Sequence, residues 1–363
     1  MRVLITYASA GAGHKRVAEA IFDYLKINRK DLKLELLDVI PQATGFFRFS
    51  YGKGYTFLVH YAHWLWAFFF WITESKLTRW FCRKSSGVIN YLSCRKFREY
   101  LSREKFDFII STHFLNSELV ANLKLKNKIK GKLITVITDF GVHPFWVSRG
   151  TDLYVVASAH TKNRLLDMAV ENQDIREFGI PVASSFTISQ DRERLAKKIG
   201  IYANKFTVLV MTGSFGVGPL DKIAESLCNQ AQVLVVCAKN KKLFARLQKR
   251  NLENVKVLGF IDNMQELMAV ADLIITKPGG SSIVELLNME LLPVFIAGIP
   301  GQESANVMAL AEYGIGATFK NISAIKNYVL DLKNNPQKIL QLKQKIRALQ
   351  KPFACQELAR VIR

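Results

Sequence analysis

Short apolar runs alternate with amphipathic stretches along most of the chain. The first run, RVLITY at residues 2–7, passes through the turn ASAGAGH into residues 15–25, where apolar side chains recur at helical spacing. Similar apolar runs are KLELLDV at 33–39, FDFIIST at 106–112, LITVITDF at 133–140 and LYVVAS at 153–158. Continuous apolar strands that alternate with helices predict a parallel sheet covered on both faces.

The same pattern restarts in the second half. The segment GIPVASSF, residues 179–186, consists largely of small and turn-forming residues, and TVLVMTGSFGVG then opens a second series of strands and helices. Residues 336–350 repeat apolar side chains at helical spacing and predict a packing helix. We therefore expect one domain at 1–183, a second at 184–335 and C-terminal packing helices at 336–363. Two doubly wound domains place a cleft at the carboxyl ends of their strands, where ligands bind.

The net charge of the chain indicates what kind of partner it binds. The 363 residues are 49% apolar, enough for two cores, but 51 Lys and Arg against 30 Asp and Glu give a net charge of +21. This surplus indicates a polyanionic partner, which is nucleic acid, an anionic lipid surface or a phosphorylated substrate. The five cysteines show no ligand-like spacing, so we expect reduced thiols and no zinc site. The N-terminal strand does not resemble a signal peptide, and a cytoplasmic protein is expected.

A glycine-rich turn in the second half is typical of a phosphate-binding site. In LIITKPGGSSIVE, residues 273–285, a strand and a turn lead into a helix that begins near Ser281 or Ser282. Backbone N–H groups and the helix dipole favour a bound phosphate there. The alternative is structural, because Ser282 and Glu285 also have the spacing of a capping box. GSFGVG at 213–218 supplies a second turn of this kind.

Two residues in the first half are candidates for proton transfer. His14 lies at the start of the first helix, where the dipole disfavours the imidazolium and favours a neutral proton acceptor. Asp139 lies at the carboxyl end of the strand LITVIT, which faces the cleft in this architecture. Each has a structural alternative, as a helix cap for His14 and as a turn former before Gly141 for Asp139. His143 and Trp146 follow on the same loop and are expected to shape an acceptor pocket.

One run in the second half resembles the donor half of a GT-B glycosyltransferase family. It is GFIDNMQELMAVADLIITKPGGSSIVELLNMELLPVFIAGIPGQESAN, residues 259–306. GAGH near the N-terminus and TDFGVHPFW, residues 138–146, are similar to the acceptor half. The family includes processive diacylglycerol glucosyltransferases and monogalactosyldiacylglycerol synthases, with the lipid II synthase of peptidoglycan more distant. The resemblance implies an α/β protein of the GT-B fold, with two doubly wound Rossmann-like domains facing a central cleft. It departs at Ala12, where many relatives have a glycine.

The resemblance implies that residues 1–183 bind the acceptor and the membrane and that residues 184–335 bind a UDP-sugar. The residues implied at the donor are Phe260 and Ile261 for the uracil, Glu285 for the ribose, Ser214, Phe215, Gly280, Ser281 and Ser282 for the diphosphate, and Gln302, Glu303 and Asn306 for the sugar. Amide and carboxylate side chains provide the paired donors and acceptors that a hexose needs. The chain has no Asp-x-Asp, so no metal and no permanently bound cofactor is expected. Backbone amides would stabilise departing UDP.

The resemblance further implies an inverting transfer to a lipid. One base takes the proton of the acceptor hydroxyl while that oxygen attacks the anomeric carbon from the face opposite UDP. Asp139 is implied as this base, and His14 as the residue that positions the acceptor or shares the proton. The sequence leaves open which of the two is the base. Gly13, His143 and Trp146 are expected on the acceptor side.

An aromatic and basic segment interrupts the first domain. Residues 54–73 are twenty consecutive uncharged positions, and residues 45–81 hold 15 aromatic side chains. A membrane-spanning helix is rejected, because it would place strands of one sheet on opposite sides of a bilayer. Between residues 45 and 105, 11 Lys and Arg stand against 3 acids, a pattern typical of interfacial helices on an anionic membrane. The residues expected at the membrane are Trp64, Trp66, Trp71, Arg79 and Trp80. A hydrophobic dimer interface is the alternative.

These observations lead to the hypothesis of a peripheral enzyme on the cytoplasmic face of the cell membrane. It would transfer a hexose, expected to be glucose, from a UDP-sugar to diacylglycerol, although the sequence does not itself distinguish glucose from galactose. An alternative of the same fold acts on another lipid, such as an isoprenoid-linked precursor. A further alternative is a non-catalytic membrane or nucleic-acid binding protein. Nucleic acid is disfavoured, because the basic residues lie beside lipid-favouring aromatics and not in an RNA-binding motif.

Overall fold

The computed structural model of the chain describes residues 1–9, 11–54, 71–73, 75–296, 301–319 and 321–363. The chain divides into two units, which are described separately. Unit 1 comprises Met1–Ser184, Ile299–Ala309 and Lys351–Arg363, and unit 2 comprises Ser185–Gly298 and Leu310–Gln350.

Strands and helices alternate in both units. The strands are β1 (Arg2–Tyr7), β2 (Lys33–Asp38), β3 (Phe108–Ser111), β4 (Lys132–Val136), β5 (Leu153–Val155), β6 (Ile175–Arg176), β7 (Thr207–Met211), β8 (Gln232–Val236), β9 (Val255–Leu258), β10 (Leu273–Thr276), β11 (Leu292–Phe295) and β12 (Ala317–Thr318). The helices are α1 (Ala12–Asn28), α2 (Gly45–Phe49), α3 (Lys76–Ser93), α4 (Arg95–Arg103), α5 (Phe114–Leu125), α6 (Ala159–Leu166), α7 (Arg192–Ile199), α8 (Leu220–Leu227), α9 (Lys241–Arg250), α10 (Met264–Val270), α11 (Gly280–Asn288), α12 (Gln302–Glu312), α13 (Ile322–Asn334), α14 (Pro336–Leu349) and α15 (Ala354–Arg360).

The sheet of unit 1 has the order β2-β1-β3-β4-β5-β6, and its strands are parallel. Ile5 of β1 pairs with Leu36 on one side and with Ile110 on the other, so β1 lies inside the sheet. The chain steps from β1 to β2 and then returns to place β3 on the opposite side of β1. Ligands of doubly wound proteins bind beside such a reversal, at the carboxyl ends of the strands.

Unit 2 has a second parallel sheet, with the order β12-β11-β10-β7-β8-β9. β7 and β8 are buried at every position, which explains why their sequences are continuous apolar runs. The strand order reverses between β7 and β10. This is the strand order of the dinucleotide-binding fold, so the sheet confirms the expected doubly wound architecture.

The two units differ from the predicted domains in the last part of the chain. The first change of unit comes after Ser184, beside the expected boundary at 183. Residues 301–309 were expected in the second domain but belong to unit 1, where Asn306 accepts hydrogen bonds from the backbone N–H groups of Phe140 and Gly141. The C-terminal helices do not form one part either, because α14 lies in unit 2 and α15 in unit 1.

Part of the aromatic segment lies outside the described residues. α2 and a turn at Ser50–Gly54 precede residues 55–70, which are not described, and α3 begins shortly after them. The expectations for Trp64 and Trp66 therefore concern positions outside the described residues. Within the described part of the chain, no helix combines the length and the apolar character needed to cross a membrane.

Arg29, directly after α1, holds the C-terminal helix α15 against the rest of unit 1. Its Nη1 donates to the carbonyl oxygens of Ala359 and Ile362, both at 3.0 Å, and Asp31 holds the guanidinium in place. Hydrogen bonds from charged donors contribute about 1.5–3 kcal/mol, and partial exposure reduces this, so we expect Arg29→Met to lower the free energy of unfolding by about 1–2 kcal/mol. Denaturant unfolding measures the change, with the exposed neighbour Lys30→Met as control. Equal losses in the two variants would contradict the assignment.

Candidate active site

Three loops of unit 1 leave the carboxyl ends of neighbouring strands. β1 is followed by His14 in the first turn of α1, β3 by Thr112, and β4 by Thr138 and Asp139. Because β1, β3 and β4 are adjacent and parallel, these loops lie along one edge of the sheet, beside its reversal. The apolar run at 133–140 is a strand only as far as Val136, and its last residues form the loop that carries Asp139.

His14 is held in one tautomer by these loops. Its Nδ1 lies 2.9 Å from the carbonyl oxygen of Thr112 and 2.9 Å from Oγ1 of Thr138. A carbonyl oxygen only accepts, so Nδ1 carries the proton and Nε2 of the neutral ring is an acceptor. Burial lowers the pKa of His14 to about 4, although the bond to Thr112 raises it. The ring is therefore neutral at pH 7, with burial as the largest cause.

The capping alternative for His14 is wrong. The N-cap of α1 is Gly11, and no side chain caps this helix. Gly13 lies one position before His14 in the same first turn. The side chain of His14 is therefore available for another purpose than closing the helix.

His113 stands beside His14 and was not among the residues expected from the sequence. The two imidazole centroids are 4.5 Å apart in an edge-to-face arrangement. Nδ1 of His113 accepts from the N–H of Leu115 and caps α5. Burial, and then the charge of His14, lower the pKa of His113 well below its usual value. A signal was available in the sequence, because His113 follows β3, the strand beside β1 at the reversal.

Trp146 lies behind the two histidines. Its ring centroid is 6.2 Å from that of His14 and 6.4 Å from that of His113. Trp146 is 3% exposed and packs in the core with Tyr154 and Val156. Its buried ring lies close to both imidazoles, and a part in shaping an acceptor pocket stays a prediction.

Asp139 is a buried carboxylate that accepts an amide hydrogen bond at each oxygen. It is 3% exposed. Nε2 of Gln302 donates to Oδ2 at 2.7 Å, and Nδ2 of Asn306 donates to Oδ1 at 3.2 Å. Burial raises the pKa of Asp139 to about 6, the bonds from Asn306 and Gln302 lower it, and the charge of Glu303 raises it. The group is ionised at pH 7 and accepts a proton close to neutral pH.

The start of α12 also has contacts that were not expected from the sequence. Gln302, Glu303 and Asn306 were all expected at the sugar. In the structure the amides of Gln302 and Asn306 contact Asp139, and the charge of Glu303 raises the pKa of Asp139. Contact with a sugar stays a prediction for all three residues.

His143 connects the loop after β4 to the end of the aromatic segment. Its Nδ1 accepts from the N–H of Phe145 at 3.2 Å, and its Nε2 lies 3.2 Å from Oγ1 of Thr73. Nε2 of the neutral ring therefore carries the proton and donates to the threonine hydroxyl. A contact of His143 with an acceptor stays a prediction.

The glycine-rich loop after β7 in unit 2 depends on backbone conformations that favour glycine. Gly213 and Gly216 have φ values of 71° and 58°. A Cβ on Gly216 would lie 2.2 Å from the carbonyl oxygen of Cys237, so only glycine fits there. The loop presents Ser214 and Phe215 at the carboxyl end of β7, and the Phe215 side chain is 52% exposed.

The loop after β10 leads directly into α11, beside the loop after β7. α11 begins at Gly280 with Gly279 as its N-cap, and no side chain caps it. The capping-box alternative is therefore wrong, because Ser281 and Ser282 lie inside the helix. Glu285 is 3% exposed. The uncapped first turn of α11 offers backbone N–H groups to an anion.

Phe260 and Ile261 follow β9, so the loops after β7, β9 and β10 all leave the same end of this sheet. The Phe260 side chain is more than half exposed. Contact of these residues with a nucleotide stays a prediction.

The residues expected at a membrane are only partly described. Trp71 and Trp80 are both about two-thirds exposed, and Arg79 lies in α3 between Trp80 and the start of that helix. The same helix exposes further large apolar side chains, which are Phe81, Val88, Ile89 and Leu92.

A comparison with solved structures defines the class of fold. The Anabaena protein Alr3699/HepE, solved in complex with UDP, has a similar structure, with a TM-score of 0.58 at 16% sequence identity. The match covers 100% of this chain and 99% of the Anabaena chain. MurG of Acinetobacter baumannii matches 99% of this chain with 99% of its own, with a TM-score of 0.58 at 14% identity. Together with the two doubly wound sheets, these likenesses define the fold as that of the GT-B glycosyltransferases.

The family follows from the sequence relatives. Residues 14–182 match the monogalactosyldiacylglycerol (MGDG) synthase family, and residues 207–358 match the glycosyltransferase family 28 C-terminal domain. Each half of the chain is thus similar to one of these two glycosyltransferase domains. A relative from Bacillus cereus, named processive diacylglycerol beta-glucosyltransferase, is 29% identical over 97% of this chain and 90% of its own.

The protonation of His14 can be tested directly. Because its folded pKa is about 4 and the unfolded value is near 6.5, we expect a neutral ring with the proton on Nδ1 from pH 8 down to about pH 5. Nitrogen-15 NMR of the histidines reads this state, and His14→Asn identifies the resonance. The unfolded ring takes up its proton first as the pH falls, so the free energy of unfolding should decline between pH 6.5 and about 4, less steeply in His14→Asn. A charged His14 at pH 6.5 would contradict the assignment.

Proposed function

We propose that this chain is an inverting transferase that moves a hexose, glucose in the first instance, from a UDP-sugar to diacylglycerol. The observation that carries the proposal is Asp139, a buried and ionised carboxylate at the carboxyl end of β4, beside the strand-order reversal. The choice of glucose and diacylglycerol is supported by the name of the Bacillus cereus relative, which aligns with nearly the whole chain.

Asp139 acts as the base in this proposal. The hydroxyl oxygen of the acceptor forms a bond to the anomeric carbon while the bond from that carbon to the diphosphate oxygen breaks, and the hydroxyl proton passes to Asp139. A pKa of about 6 suits this step, because the carboxylate is ionised at pH 7 and still basic enough to accept the proton. His14 offers Nε2 as a second acceptor on the same side, with which the hydroxyl proton can be shared before it passes to Asp139.

The donor is assigned to unit 2. The diphosphate is proposed to bind at the uncapped start of α11, where backbone N–H groups and the helix dipole favour negative charge. Ser214 and Phe215 are proposed on the neighbouring loop, Phe260 and Ile261 at the uracil, and Glu285 at the ribose. The departing UDP is stabilised by these backbone groups, and no step is assigned to a metal ion.

A membrane surface is proposed on α3. Its inner face is polar, because Arg83 donates to the carbonyl oxygen of Val147 at 2.6 Å and Asn90 donates to Glu118 at 2.8 Å. The outer face is apolar, with exposed aromatic and aliphatic side chains. An apolar face turned to solvent on a basic helix fits an anionic bilayer, where aromatic rings lie at the headgroup level. We propose that the enzyme works at the cytoplasmic face of the membrane that holds its lipid acceptor.

Asp139→Asn tests the reaction. Purified protein is incubated with liposomes of diacylglycerol and anionic lipid and with labelled UDP-glucose or UDP-galactose, and the lipid products are separated. We expect a labelled glycolipid from the wild type, about a thousand-fold less from Asp139→Asn, and unchanged UDP affinity in that variant. Glu285→Gln serves as the converse control, since it should weaken UDP binding.

The outcomes of this assay separate the alternatives. Substantial turnover by Asp139→Asn would move the base role to His14. Bound UDP without any labelled lipid would overturn diacylglycerol as the acceptor, and isoprenoid-linked lipids would be tested next. Binding to RNA but not to liposomes would contradict the proposed membrane partner.

Phe81→Ser with Leu92→Ser tests the membrane surface. Both side chains are exposed on α3, and losing their insertion should weaken binding to anionic liposomes about ten-fold for each substitution. The control is Ile27→Ser, which removes an equally exposed apolar side chain from α1. Liposome co-sedimentation measures the binding, and calorimetry with UDP verifies that the donor site is intact. Equal binding by the double variant and the control would contradict the proposal.

A further inference from the structure

The side chain of Asn306 is completely buried, with an exposed fraction of 0%. Its Oδ1 accepts from the N–H of Phe140 at 2.8 Å and from the N–H of Gly141 at 3.0 Å. Its Nδ2 donates to Oδ1 of Asp139 at 3.2 Å. The amide thus contacts three successive residues of the loop after β4.

These contacts fix which way the amide points. Two backbone N–H groups only donate, so the atom that faces them is the oxygen of Asn306. The nitrogen then has to face Asp139, where it donates to the carboxylate. A reversed amide would place two donors against two donors and leave the buried carboxylate facing an oxygen, which costs several hydrogen bonds.

The helix that carries Asn306 approaches this loop closely. A Cβ on Gly141 would lie 2.5 Å from Cβ of Ala305, so the residue at 141 has to be glycine for α12 to reach the loop. One turn earlier on α12, Gln302 donates to the other oxygen of Asp139 at 2.7 Å. Two amides at positions i and i+4 of one helix therefore hold both carboxylate oxygens.

We propose that Asn306 is a positioning residue for the base Asp139. The inference rests on the proposed function in taking Asp139 as the base. Asn306 fixes the carboxylate relative to the backbone of its own loop, so that one direction of the carboxylate is presented to the acceptor. Gln302 completes the arrangement from the same helix.

Few charged groups influence Asp139 in these surroundings. From α12 the charged group is Glu303, which raises the pKa of Asp139. From α6 the contact is neutral, since Oγ1 of Thr161 donates to the carbonyl oxygen of Phe140. His14, which is bonded to the adjacent Thr138, has a pKa of about 4 and is uncharged at pH 6. The protonation of Asp139 is therefore governed by burial, by the two amides and by Glu303.

The test compares Asn306→Ala and Asn306→Asp with wild type. Activity needs the ionised carboxylate, so kcat falls as the pH drops through the pKa of Asp139, which is about 6. Loss of an amide donor disfavours the ionised form, so in Asn306→Ala this acid limb should move up by about one pH unit. The plateau of kcat should fall about ten-fold or more, because the carboxylate is no longer held in place. The affinity for UDP-glucose, measured by calorimetry without acceptor, should stay within about two-fold.

Asn306→Asp is a second variant, which keeps the proposal testable if Asn306→Ala does not fold. Its carboxylate still accepts from Phe140 and Gly141, but it cannot donate to Asp139 and places a like charge beside it, so the acid limb should move further up than in Asn306→Ala. Glu303→Gln is the matched control. It removes a negative charge near Asp139, so its acid limb should move down, and its affinity for UDP-glucose should weaken if Glu303 binds the sugar.

Two further results decide the matter. Asn306→Ala should add nothing to the loss of kcat in Asp139→Asn, because a positioning residue acts only through its partner. Weaker UDP-glucose binding with an unmoved acid limb would overturn the proposal and make Asn306 a sugar ligand. A carbon-13 NMR titration of Asp139 needs no turnover. If it shows the shift in Asn306→Ala while kcat does not follow it, the proposed function has failed in its choice of base, and the positioning role stands.

Discussion

A buried carboxylate has to be hydrogen-bonded, and in unit 1 this constraint applies to Asp139. Taking an ionised carboxyl group out of water is costly unless donors replace the lost solvent. The donors on Asp139 are amides from α12, 163 and 167 positions further along the chain. The chain therefore returns to unit 1 at residues 301–309 before it continues in unit 2. The site and the path of the chain have the same physical cause.

The two parallel sheets position the other candidate residues. In each unit the strand order reverses once near the middle of the sheet, and the loops on either side of the reversal are free to diverge. In unit 1 these loops carry His14 and Thr112, and in unit 2 they carry Ser214 and the start of α11. The neutral imidazole of His14 and the uncapped start of α11 have different chemistry, but each lies at the carboxyl ends of the parallel strands of its own sheet.

The fold and the identity of most candidate residues follow from local patterns in the sequence. Apolar runs and glycine-rich turns are local, so the doubly wound architecture and the places of Asp139 and His14 at the carboxyl ends of strands could be predicted directly. The roles of Gln302 and Asn306 could not, because they depend on contacts between residues more than 160 positions apart. The first residue of α11 was also misplaced, since Ser282 and Glu285 have capping-box spacing although the helix begins at Gly280. Local spacing predicts elements well and long-range partners poorly.

The apolar surface of α3 and Asp139, the proposed base, are connected within unit 1. α3 is tied to the loop after β4 through Arg83 and Val147, and His143 of that loop bonds Thr73 at the end of the aromatic segment. An acceptor whose acyl chains stay in a bilayer has to offer its hydroxyl close to the membrane surface. A base far from the surface that inserts would require the lipid to leave the bilayer, at a cost of about 0.8 kcal/mol for each CH₂ group exposed to water. In the proposed function, the hydrogen bonds that join α3 to the loop of Asp139 keep this distance short, so that the lipid reacts without leaving the membrane.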